Sequence, residues 1–96
     1  MAEKFLDKVG AALESAARET EKAARIGKLK LDKLALERDR SRLFTKLGKK
    51  VYRLMEEGKE VGPETQEVEK FREEIKITEK LIETKVLEIE RVKSGE

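Results

Sequence analysis

The stretch LGKKVYRLMEEGKEVGPETQEVEKF, Leu47 to Phe71, holds the only proline and three of the six glycines of the chain, between two long charged segments. Its reading decides the fold. GKEVGPE has two glycines but neither the GxxxxGK[ST] spacing nor a preceding strand, so it does not describe a phosphate cradle. EEG at 56–58 instead ends a helix, with Gly58 as the left-handed residue just past it. Pro63 suits the first turn of a following helix, and the charge of Glu64 favours a helix N-terminus. A connection this short makes the flanking helices antiparallel neighbours.

Downstream of the corner, Val68, Phe71, Ile75, Ile82, Ile89 and Val92 recur at alternating three- and four-residue steps, which places them on one stripe of a helix. In heptads, the a positions are Val68, Ile75, Ile82 and Ile89, and the d positions are Phe71, Thr78, Lys85 and Val92. The seam therefore carries polar defects at Thr78 and Lys85. Upstream, Ile26, Leu29, Leu36, Leu43, Phe44, Leu47, Val51, Leu54 and Met55 form the matching stripe. Lys33 and Arg40 interrupt it where a continuous seam would be apolar.

Folding about residues 60–61 sets Leu36 opposite Lys85, and Val51 opposite Lys70 and Phe71. Lys33 then falls near Glu88, and Arg40 near Leu81, Glu79 and Glu83. Charge agrees with the pairing, because residues 1–57 hold 15 basic and 10 acidic groups whereas 58–96 hold 8 and 11. The expected fold is all-α: an antiparallel, coiled-coil-like helical hairpin of residues 26–96, with helix 26–57, turn 58–62 and helix 63–93. An amphipathic helical extension, residues 1–25, precedes it.

That extension carries Phe5, Leu6, Val9, Ala12, Leu13, Ala16, Ala17, Ala23 and Ala24 at helical spacing, and a two-helix hairpin offers them no partner. Around Gly27 the helix either runs on or folds back as a third helix. Ile77, Leu81 and Leu87 lie off the second helix's seam in the same way. We expect Phe5, Leu6, Val9, Leu13, Ile77, Leu81 and Leu87 to form an oligomer interface, because long helices gain most of their stability from packing. The partner is a second copy of the chain or another helical protein. A membrane surface is disfavoured for the extension, since residues 1–25 balance five bases with five acids and lack a lysine-rich polar face.

Composition narrows the chemistry. In 96 residues, 46% are charged and 38% hydrophobic, which suits thin helical assemblies better than a thick core. There is no cysteine or histidine, hence no disulfide, thiolate nucleophile, structural zinc site or Ser-His triad. Paired carboxylates such as Glu56 and Glu57 or Glu73 and Glu74 read as solvated faces. Lys33 and Arg40 could hold an anion as core cations do in the all-helical chorismate mutases, which this chain resembles in fold style alone. A device that fixes register is the simpler reading. We expect no catalytic, cofactor-binding or metal-binding residue, and no enzyme. The acid- and lysine-bearing start of the chain does not read as a signal peptide, and no apolar run reaches about 18 residues, so a cytoplasmic location is expected.

A second function class comes from the basic run RDRSRLFTKLGKKVYR, Arg38 to Arg53. Arg38, Arg42, Lys46, Lys49, Lys50 and Arg53 could contact the phosphates of a nucleic acid. Against it stand a net charge of only +2 and the expectation that many of these cations face the acidic second helix.

The stretch KLKLDKLALERDRSRLFTKLGKKVYRLMEEGKEV, Lys28 to Val61, with the following Pro63-Glu64, resembles a family of small uncharacterised bacterial coiled-coil proteins. In that family a lysine-leucine helix runs into an LGKxxYxL segment before a turn. The likeness covers residues 26–80 and implies an intracellular helical hairpin without a stated activity. Some members carry a C-terminal zinc ribbon, which this sequence, lacking cysteine, does not reproduce.

Overall fold

The computed structural model describes the backbone of residues 2–62 and 65–95; the side chains of Ala2, Glu3 and Phe5 are outside that description. Two helices account for nearly all of it: α1, Ala2–Glu56, and α2, Gln66–Lys93. They pack against each other as an all-α hairpin, and no strand occurs among the described residues. The molecule measures 86 × 17 × 12 Å. At about 1.5 Å per residue, the 55 residues of α1 span roughly 82 Å and so set the long axis by themselves. The 28 residues of α2 cover only about half of that length.

α1 is continuous through Gly27. An interior glycine costs about 1 kcal/mol relative to alanine, and Ala23, Ala24 and the run Lys28–Leu31 around it favour helix. The first 20 or so residues therefore extend past α2 instead of folding back onto it.

The corner is built as a Schellman motif. Gly58 has φ +71°, its N–H donates to the Met55 carbonyl (3.1 Å), and the Lys59 N–H donates to the Leu54 carbonyl (2.8 Å). Two carbonyls at the end of α1 are thereby satisfied by the chain's own turn. Nothing lies within 4 Å of where a Cβ on Gly58 would sit. Gly58→Ala is thus expected to cost about 1 kcal/mol through backbone strain alone. A chemical melt should show it, and an unchanged midpoint would count against the left-handed conformation.

α2 begins at Gln66 with Thr65 as its N-cap residue. The expected roles of Pro63 and Glu64 lie outside the described residues. Glu67 and Glu69 in the first turn, and Arg91 and Lys93 in the last, complement the helix dipole.

The seam of α2 is as its heptads imply: Ile75, Thr78, Ile82, Ile89 and Val92 are buried, while Val68, Phe71 and Lys85 are half-buried. On α1 the facing positions are Lys22, Ile26, Leu29, Lys33, Leu36, Arg40, Leu43, Leu47 and Lys50, all half-buried, and Leu54, which is buried. Phe44 and Met55 do not belong to this seam, being 51% and 67% exposed. Each follows a true seam residue, Leu43 or Leu54, and one step turns the chain by about 100°. Leu43 and Thr78 line one groove between the helices and Leu29 and Val92 another, so the register follows from folding at residues 60–61.

Candidate association surface

Two lysines form ion pairs between the helices. Lys50 pairs with Glu67 at 2.8 Å, and Lys85 pairs with Asp32 at 3.7 Å and with Glu88 at 3.9 Å. Both sit on the seam, bury much of their stems between the helices and send their ammonium groups to its edge. Lys33 instead pairs with Glu37 of its own helix, at 3.6 Å. Its expected neighbour Glu88 lies on the other side of the seam: Lys33 lines a groove with Val86 and Glu90, whereas Glu88 lines one with Arg25 and Asp32. Arg40 makes no ion pair among the described residues. Thr78 returns its hydroxyl to the Glu74 carbonyl at 2.8 Å, so the buried polar group is satisfied within its own helix.

The grip of Lys50 has an electrostatic signature. The hydrogen bond it donates, and then its positive charge, hold the Glu67 carboxyl below an ordinary glutamate. A carboxyl whose folded value is depressed contributes stability at neutral pH and loses it as the pH falls through that lowered value. Lys50→Ala is expected to return the Glu67 midpoint upward in a carbon-13 NMR titration. No movement would mean that the pair does not form.

Where α2 stops, Lys22 marks the boundary by donating from Nζ to the Lys93 carbonyl at 2.8 Å, a cation on the negative end of the α2 dipole. Beyond it, Leu6 is 66% exposed, Val9 39% and Leu13 66%. Phe5, grouped with them in the sequence, has a side chain outside the described ones. Ile77, Leu81 and Leu87 are exposed as well, but elsewhere. Leu13 and the part of α1 facing Ile77 are about 30 residues apart, or roughly 45 Å along the helix. Ile77 and Leu81 also lie on one flank of α2, and Leu87 on its back, opposite the seam. The seven residues do not assemble into one patch.

Of the basic run, Arg38, Arg42, Lys46, Lys49 and Arg53 are exposed, while Arg40 and Lys50 are half-buried on the seam and Lys50 pairs with α2. Arg42 reaches Asp39 of its own helix at 3.8 Å. Exposure does not take these cations away from the acidic helix: Arg42 and Lys46 line a groove with Glu74 of α2, and Lys46, Lys49 and Arg53 line one with Glu67. Part of the run therefore flanks α2 as expected, although Lys50 is the one of these cations that forms an ion pair with it among the described residues.

The clefts between the helices are open grooves. A groove of 490 Å³ at the end of the hairpin is walled by Arg25, Lys28, Asp32, Lys85, Glu88 and Arg91, charges of both signs in which Lys85 already satisfies Asp32 and Glu88. No cluster of three potential metal ligands occurs among the described residues. Among those residues, too, no helix is long and apolar enough to cross a membrane.

Reading along the sequence missed one feature. Leu31, at 69% exposure, continues the outward stripe of the overhang along the back of α1. Leu34, at 43%, lies at its edge and also lines the groove with Val86 and Ile89, and Tyr52, at 65%, lies on the same side beyond the polar Arg38, Ser41, Thr45 and Lys49. The signal was present in the spacing of Leu6, Val9, Leu13, Ala16, Thr20, Ala24, Gly27, Leu31 and Leu34, every step of which is three or four residues. No protein-family model, no curated protein and no solved structure matches the chain.

Proposed function

We propose that this chain is a non-enzymatic interaction module whose output is helix–helix association: a rod stiffened by the hairpin, with an apolar helical face offered to a partner, most simply a second copy in a homodimer or tetramer. The observation that carries this reading is the exposure of Leu6, Val9 and Leu13 on α1 beyond the reach of α2. A helix without tertiary packing is marginal in water, and a contiguous apolar face on one is a docking surface. We assign no catalytic residue or cofactor, and a cytoplasmic setting belongs to the same reading.

Light scattering tests it. The full chain should exceed monomer mass by about 100 micromolar, because burial of several large side chains is enough to drive weak association by then. The variant Leu6→Glu/Leu13→Glu should fall to monomer mass while keeping its hairpin helicity. A monomeric full chain at that concentration overturns the reading.

A second reading, a nucleic-acid-binding hairpin, is supported by the exposure of Arg38, Arg42, Lys46, Lys49 and Arg53. Phosphate binding weakens steeply with salt, whereas apolar packing does not. A gel-shift series with mixed DNA and RNA separates the two, and no shift at low salt removes the second.

A further inference from the structure

We infer that the partner is a second copy docked antiparallel along the whole outward face of α1, on a two-fold axis between Gly27 and Leu31. This rests on the association reading above and specifies its geometry.

Charge along α1 is uneven. Residues 2–21 hold three basic and five acidic groups, while 22–56 hold twelve basic and four acidic. A parallel pairing of two such helices would set the strongly basic segments side by side. Overlap of the two overhangs alone would set acidic against acidic. Full antiparallel pairing lays the acidic start of each copy beside the basic part of the other, and charge complementarity of this kind selects orientation and register.

The detail of the flanks agrees. At roughly 100° per residue, Asp7, Glu14 and Glu21 run along the same side of the outward stripe as Arg42, Lys46 and Arg53. A two-fold antiparallel pair brings like flanks of the two copies together. With the axis between residues 27 and 31, Asp7 falls beside Arg53 of the second copy, and Glu14 falls between its Arg42 and Lys46.

Size follows the same symmetry. In this register Leu31 and Leu34 of one copy meet Gly27 and Ala24 of the other, and Leu6 meets Tyr52. Nothing lies within 4 Å of a Cβ built on Gly27, so the space beside it is open to a neighbouring leucine. Near the axis large residues face small ones, as a self-complementary contact requires, while farther out Leu13 meets Thr45 and Val9 lies under the aliphatic stem of Lys49.

The chain has no cysteine, so introduced ones report the pairing without background. Leu6→Cys and Tyr52→Cys lie 46 residues apart, roughly 69 Å along α1, a distance that overlap of the overhangs cannot bridge. Mixed and mildly oxidised, the two variants should form a mixed disulfide dimer, and either alone should form little. In addition, Glu14→Lys should weaken dimerisation about tenfold, with recovery on adding Lys46→Glu. If dimer mass persists while Leu6→Cys links mainly to itself, or no mixed disulfide forms, this register is wrong and the association reading survives. A monomeric full chain removes both.

Discussion

Replacing Ile82 by alanine is expected to lower the unfolding free energy by about 2–3 kcal/mol, the lower part of the range for removing a buried isoleucine side chain. In a chain of this size that corresponds to a drop of about 10–20 °C in the melting temperature, read by circular dichroism. The effect is large because the seam is thin. Ile82 is one of only five buried apolar residues among those described, the others being Leu54, Ile75, Ile89 and Val92, and no described side chain is completely enclosed. Ile77→Ala, in the same helix but at a position 58% exposed, serves as the control and should shift stability by no more than about 0.5 kcal/mol. Equal losses at the two positions would show that the seam is not where the hairpin is held.

The contrast between Ile82 and Ile77 also shows what was legible. The α2 seam could be read because its four a positions are all β-branched and apolar at strict heptad spacing, so one phase wins. The corner could be read because a left-handed residue ending a helix is nearly always glycine, and Gly58 follows two glutamates in a helix-forming run. α1 was harder because apolar residues occur on more than one side of it. Phe44 and Met55 sit next to seam residues, and a one-dimensional pattern cannot tell a neighbour at 100° from a member of the stripe. Gly27 was ambiguous since an interior glycine costs too little to force a break. The Lys33–Glu88 pairing failed for a different reason. Residue numbers fix how far along the hairpin two positions lie, but which side of the seam each occupies depends on the handedness of both helices. Net charge, for its part, could place the run Arg38 to Arg53 beside α2 but could not tell that Lys50 pairs with Glu67 while Arg42, Lys46, Lys49 and Arg53 stay exposed at the groove edges.

The polar seam positions lead to the opposite change. Thr78 and Lys85 occupy d positions of α2 at 9% residue exposure and 28% side-chain exposure respectively. The pair that Lys85 forms with Asp32 is partly solvated, and such pairs contribute about 0.2–1 kcal/mol. A leucine packed there would contribute about 1.5–3 kcal/mol if fully buried, and an isoleucine at Thr78 gains apolar contact while giving up a hydroxyl that bonds only to its own helix. Seven residues of helix separate the sites by roughly 10 Å, so their effects should nearly add. Thr78→Ile/Lys85→Leu is therefore expected to raise stability by about 2–3 kcal/mol, visible as a higher melting temperature. It should also cost selectivity. With Val68 through Val92 then an uninterrupted a/d stripe, α2 can pair with α2 of another chain as well as with its own α1, because the lysine that penalises the wrong alignment is gone. Light scattering of the double variant should accordingly show larger and more heterogeneous species than the parent at equal concentration. If stability rises while the mass distribution stays as in the parent, Lys85 does not set partner or register, and the Schellman corner with its short connection must specify the hairpin alone.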